Sequence, residues 1–418
     1  MFNKHNIYII ASIVIGFLVI ILLGWAIFLD KEGKDVMDSD SGTDYLFGDS
    51  NNTGNNFESG GSIFGKMVEE IKDAAKKDID ETKKETEFKA ALMQLHIAPV
   101  AGAYVEANDT LHFVEKSTGH AFELTVGDKI TTKRVLHTTV PAVQEAHWVD
   151  NGNGVIRRYI DSDGSIATVY GTFPKVGEEA KTGYLADNIT ALTSSPDGKQ
   201  LFYIAKDAGV VKGYVSNSYG ENPVQIWESI MHQWNVKWAD TTRVLITQKP
   251  TNSAGGAAFL INSSGTKEEF VISRVPGLIT NMNKMGGVLL YSRSADHSTD
   301  LRVRDFQKNT DTTISLATFA DKCAWSNVNK DILYCFVPKT MPDANYPDAW
   351  YQGLVRFTDD LWQVNIETGE AVVLASPEED FNTEVDTENI LMSKSDEYIF
   401  FTNKADQTLW AIKIKENE

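Results

Sequence analysis

Residues 188–204 read NITALTSSPDGKQLFYI. An apolar run closes at Ser194, a turn follows at Ser195, Pro196, Asp197 and Gly198, and a strand-like run continues through Gln200, Leu201, Phe202, Tyr203 and Ile204. Proline presets φ for a turn, aspartate bonds the backbone ahead of it, and glycine tolerates positive φ. Strands joined by so short a connection must run antiparallel. The unit is therefore a β-hairpin, and weaker copies of it recur along most of the chain.

Aligning on the residue that closes each first strand gives Tyr104, Trp148, Ser194, Trp238, Met282, Trp325 and Met392, with steps of about 44, 46, 44, 44, 43 and 67 residues. That period is the one expected of four-stranded propeller blades. Turn residues follow each position, as at Asn151-Gly152, Asp240-Thr241 and Ser395-Asp396, and a second apolar strand comes next, often with an aromatic near its end. Third strands are legible after Ser117-Thr118-Gly119 and Asp161-Ser162-Asp163-Gly164. The fold class expected is all-β, a seven-bladed β-propeller of four-stranded antiparallel blades over residues 88–415. The seventh copy runs out before a fourth strand. An open ring would leave a sheet edge and unburied apolar faces, so residues 88–97, around Ala91 to Leu95, are expected to supply the outer strand of that blade.

With the hairpins aligned, SSPDGKQLFYIA resembles the WSPDGKKIAY repeat of TolB-type, WD-repeat-like β-propellers; Ser194 stands where Trp148, Trp238 and Trp325 keep the tryptophan. The stretches PVAGAYVEA, HFVEKSTGHAFEL and AHWVDNGNGVIRRYI look like those of uncharacterised membrane-anchored propellers of small-genome bacteria. The resemblance covers roughly residues 90–415. It implies a cell-envelope protein of a superfamily whose propellers bind proteins or peptides or sit beside a peptidase domain, and it implies no particular activity.

Ahead of the repeats, residues 7–29 are apolar and uncharged, long enough for a membrane-spanning helix and longer than a signal-peptide core. They are read as an uncleaved signal anchor behind a short tail, residues 1–6, with a cleaved signal as the alternative. Lys4 lies before the span and Lys31 and Lys34 after it, so the lysine count does not orient it. The acidic flank from Asp30 to Asp44 and the short tail favour a C-terminal domain outside the cytoplasm. Residues 30–61, rich in Asp, Ser, Gly and Asn, are expected to form a flexible acidic tether. Residues 62–87 carry Ile63, Met67, Ile71 and Ala74 at helical spacing and are expected to form an amphipathic spacer helix.

The formal charge of −19 argues against nucleic-acid binding, which needs clustered Lys and Arg. His96, His112, His120, His137, His147, His232 and His297 are scattered without metal-ligand spacing, and no phosphate loop, dinucleotide motif or serine elbow occurs, so no cofactor is expected. Asp161 to Gly164 reads as a hairpin turn, because the further oxygen ligands of a calcium loop are missing. The recurring Trp and Tyr positions read as blade-to-blade packing. Cys323 and Cys335 fall on the first two strands of the sixth copy, either side of a turn, where folding puts them roughly opposite; a bridge and two buried thiols both fit.

The long sixth step marks an insertion at residues 338–358, PKTMPDANYPDAWYQGLVRFT. It lies between second and third strands, on the propeller rim that the blade connections share. Asp343, Tyr346, Asp348, Trp350, Tyr351 and Arg356 give it a composition enriched at interfaces, and they are the candidate binding rim. The competing reading is a self-packed flap over the channel mouth. The function expected is non-enzymatic, a binding or scaffolding module for a protein, peptide or glycan at the cell envelope. The alternatives are a propeller-type hydrolase or lyase acting at the channel mouth, and an envelope sensor or assembly factor.

Overall fold

The computed structural model describes residues 90–414, apart from 128, 174–178, 285–286 and 296. The anchor, tether and spacer-helix segments lie outside these residues. Among the described residues no helix is long and apolar enough to cross a membrane. The domain is a seven-bladed propeller of four-stranded antiparallel sheets. Its innermost strands are β2 (Val100–Val105), β6 (Val143–Val149), β10 (Ile189–Ser194), β14 (Trp234–Trp238), β18 (Ile279–Met282), β22 (Cys323–Trp325) and β26 (Thr387–Met392). Each of the seven aligned sequence positions sits at or next to the end of one of these strands.

Each blade packs its two faces against its two neighbours. The second strand of a blade is therefore covered on both sides, and it reads as a continuous apolar run rather than an alternating one. In β11 (Gln200–Asp207) the run Leu201 to Ala205 is buried throughout, and in β23 (Ile332–Pro338) every residue is buried. Outer strands show the opposite pattern, with four consecutive exposed residues at the start of β5 (Thr131–Leu136). The core is accordingly divided into seven apolar clusters, one between each pair of adjacent blades.

Blade one is joined to blade seven by strand exchange at the chain ends. β1 (Ala91–His96) pairs antiparallel with β28 (Leu409–Lys413), matching Leu92 to Ile412 and Met93 to Ala411. Its order in that sheet is outermost. Closing the ring this way covers the edge of β28 and ties residues more than three hundred apart in sequence.

The hairpin at residues 188–204 shows what the repeated turn does. The Ser195 hydroxyl donates to Asp197 Oδ1 at 2.7 Å, and the Gln200 amide donates to Ser195 Oγ at 2.9 Å. Gly198 has φ +67°, and a Cβ there would lie 2.4 Å from the Asn151 backbone nitrogen. This close approach lets the Asp150 amide donate to Gly198 O at 2.8 Å, so the turn also locks two blades. Two of the three strand-closing tryptophans make equivalent links, Trp238 Nε1 donating to Thr193 O at 3.2 Å and Trp325 Nε1 to Asn281 O at 3.3 Å, whereas the Trp148 indole nitrogen is buried without a partner among the described residues. Ser194 replaces the indole donor with its hydroxyl, which bonds Trp148 O at 2.8 Å.

Candidate functional site at the channel mouth

The innermost strands surround a central channel. At one end of it lies a cavity of about 370 Å³. The strands β6, β10, β14 and β18 open onto it, and the insertion reaches it through Tyr351. On β6 and β14 apolar residues point between blades, which leaves Glu145 and His147 on one strand and Asn235 and Lys237 on the other to line the lumen.

The charged groups there are held by neighbours. Glu145 accepts from Arg158 Nη1 and lies 3.4 Å from His147 Nε2, while Arg158 Nη2 donates to Ile189 O at 2.7 Å. The hydrogen bond from His147 and the charge of Arg158 hold the Glu145 carboxyl down at about 2. Asp321 accepts from the Tyr351 hydroxyl. Burial and the Asp321 charge push that phenol well above its ordinary range. Thr247 and Thr280 share a hydrogen bond of 2.6 Å in the cavity wall. Lys237 is surrounded by protein while keeping surface on the lumen, and this burial lowers its pKa, with Asp321 offsetting part of the shift. Among the described residues no group of His, Cys, Asp and Glu is arranged to hold a metal ion.

The insertion is a folded flap, and this redistributes the candidate rim. Tyr346 and Trp350 are 1% and 2% exposed, packed with Phe319 and Phe357, so they are core residues of the flap and not part of an open binding surface. Their aromatic area is more stabilising between blades five and six than in water, which is why the rim composition was misleading. Asp348 starts the short helix α1 (Asp348–Tyr351) and accepts from the Asn252 amide at 2.7 Å, pinning the flap to blade four. Asp343 is exposed and pairs with His297 at 3.0 Å. Arg356 is exposed and donates to Ala405 O at 3.3 Å. Tyr351 is the candidate that enters the channel cavity.

Beneath the flap lies a buried ion cluster that sequence reading did not find. Lys322 is fully buried, 2.6 Å from Asp359 and 2.8 Å from Asp386. Trp350 Nε1 donates to Asp386 Oδ1 at 2.9 Å, and the Phe357 amide donates to the same carboxylate at 3.2 Å. The Thr387 amide and hydroxyl donate to Asp359 at 2.8 and 2.9 Å. The ammonium also sits over the Trp350 ring, 4.8 Å from its centroid. Desolvation raises the Asp359 pKa despite the adjacent lysine. Cys323 and Cys335 are a register pair across β22 and β23, joined sulfur to sulfur with Cα atoms 4.1 Å apart.

The lumen residues were also missed, although a signal for them was present. Glu145 and Asn235 stand three residues before the aligned tryptophans, and His147 and Lys237 one residue before. Polar residues at fixed offsets on otherwise buried inner strands mark a channel lining. Lys322, Asp359 and Asp386 carry no such mark, since they come from a short turn, the start of a third strand and the connection before the last blade.

No family model and no curated protein matches the sequence. Among solved structures, an oligogalacturonate lyase in complex with manganese is similar at 11% identity and a TM-score of 0.53, over 79% of this chain and 96% of that one. TolB from Acinetobacter baumannii aligns at 10% identity and a TM-score of 0.42, over 66% of this chain and 62% of that one. The Swd1 β-propeller domain of Myceliophteria thermophila aligns at 7% identity and 0.49, over 78% and 100%. These likenesses concern the fold. The chain is a seven-bladed β-propeller, and TolB and WD-repeat propellers are among the structures it is similar to.

Proposed function

We propose that the chain is a membrane-anchored binding module that presents the flap-bearing face of its propeller, outside the cytoplasm, to a protein, peptide or glycan partner. The observation that carries this reading is the coincidence of two features on one face. The cavity opens there, and Glu145, Arg158, Asp321 and Tyr351 in its wall are held by mutual hydrogen bonds. Exposed apolar side chains gather on the connections and strand ends of the same face: Ile97, Ile160, Tyr184, Ile230, Met231 and Leu354, against Ile130, Val224 and Val328 on the turns and strand ends of the other. Pre-set polar groups at a concave centre with apolar residues around them suit recognition. The apolar, uncharged stretch at residues 7–29 supports the anchor.

Photo-crosslinking in envelope membranes tests this. A photoreactive residue at Asn235, in the cavity, should capture a partner, and one at Val328, on the opposite face, should not. Capture at neither position, together with turnover of a glycan or peptide by the purified protein, would favour the enzymatic alternative.

A further inference from the structure

The cavity holds two cationic side chains, Lys237 and Lys249, that no described carboxylate pairs at ion-pair distance. Arg158 is paired with Glu145, and the Asp321 carboxylate is bonded by Tyr351. Among the described residues, no carboxylate lies within ion-pair distance of the Lys237 ammonium and no acceptor lies within hydrogen-bond distance. The side chain keeps exposed surface on the lumen, so its ammonium is hydrated there and can exchange water for an anion. Lys249 also lines the cavity without an ion pair. A basic spot is therefore set into a protein whose formal charge is −19.

We infer that Lys237 anchors a carboxylate of a peptide segment that enters the channel mouth. An anion placed on the ammonium would supply the missing hydrogen-bond acceptor and an opposite charge within a concave site. Asn235 offers a side-chain amide in the same wall, beside the Thr190 and Thr280 hydroxyls that bond Ile204 O and Thr247, and the buried Ile279, Leu245 and Ala191 back it with apolar surface. That mixture matches a peptide backbone with an apolar side chain. A glycan would want several open aromatic faces; here Trp234 is buried edge-on against Trp227, and the partly exposed Tyr351 has its ring against Phe319 and its hydroxyl on Asp321. The cavity volume, about 370 Å³, admits a chain end or a projecting side chain and excludes a folded domain.

This inference rests on the proposed binding role of the channel mouth, and its test separates the two. The full-length protein in lipid nanodiscs is treated with sulfo-NHS acetate, and acetylation of Lys237 is followed by peptide mapping with exposed Lys199 as the internal reference. The probes are three: a mixed pool of N-acetylated tetrapeptides lacking Asp and Glu, with free C-termini; the same pool amidated; and an amidated pool containing Asp and Glu. Protection of Lys237 by the free-acid pool and not by its amidated counterpart assigns the anchor to a chain terminus. Protection by the acidic amidated pool assigns it to a side-chain carboxylate. Equal protection by the amidated neutral pool, or protection by none, overturns the inference. Titration monitored by Trp fluorescence supplies the second measurement. Lys237→Gln should weaken the free-acid pool roughly thirtyfold or more, and Lys237→Arg should retain most of the affinity. If Asn235 captures a partner while no pool protects Lys237, the binding role stands and the carboxylate anchor falls.

Discussion

Glu145 illustrates how a residue in this channel links charge to stability. Its carboxyl is held at about 2 against an ordinary 4.5, so the folded state favours the charged form. The stabilisation is complete above about pH 4.5 and is lost as the pH falls toward about 2. The side chain is 55% exposed to channel water, and screening makes the effect modest. Urea midpoints measured across that acid range should fall less steeply for Glu145→Gln than for the natural protein. An identical slope would mean that the Arg158 and His147 contacts do not persist in solution. Neither Glu145 nor Lys237 stands out in isolation in the sequence. Each becomes a candidate once repeats are aligned, because inner-strand positions that face a lumen need not be apolar.

The element that breaks the repeat, residues 338–358, is held by chemistry that its own composition does not reveal. Trp350 is packed and hydrogen-bonded over a lysine shared by two aspartates from outside the insertion. Removing that lysine strands two buried carboxylates, which typically destabilises by about 3–5 kcal/mol. Lys322→Met should therefore lower the urea midpoint and open the flap to proteolysis near Leu354. The loss should shrink at acid pH, where neutral carboxyls tolerate burial. The adjacent hairpin of β22 and β23 makes a second prediction. Without reductant, Cys323 and Cys335 should resist alkylation in denaturant and the intact mass should be two hydrogens below the dithiol value. Replacing both with serine should cost up to about 3 kcal/mol, the entropy of a short closed loop. Ready alkylation without reductant would mean paired thiols in place of a bridge.

For the whole molecule, stability depends on a closed ring. Deleting the sequence from residue 85 through His96 would leave β28 as an exposed edge beside the buried Ile412 and Ala411. The expected outcome is a large drop in soluble yield and a rise in light scattering, as unpaired edges associate. A truncated chain as soluble as the natural one would show that closure through β1 is dispensable. The periodic hairpins, seven blades and their near-constant step could be read from sequence because they arise from local rules: turn chemistry, strand alternation and spacing along the chain. The doubly buried second strands were legible for the same reason, as apolar runs between turns. The site was legible in part. Sequence located the insertion and the two cysteines, but Tyr346 and Trp350 look the same in sequence whether they face a partner or their own core. The tertiary structure decided that they face inward. It also brought Lys322, Asp359 and Asp386 together from separate parts of the sixth and seventh blades, and set Glu145, Lys237 and Asp321 around one lumen. Inner-strand offsets mark Glu145 and Lys237 as lining residues, but which groups meet depends on how blades and loops pack across the ring, where partners are chosen by burial and charge over long sequence separations that no local pattern encodes.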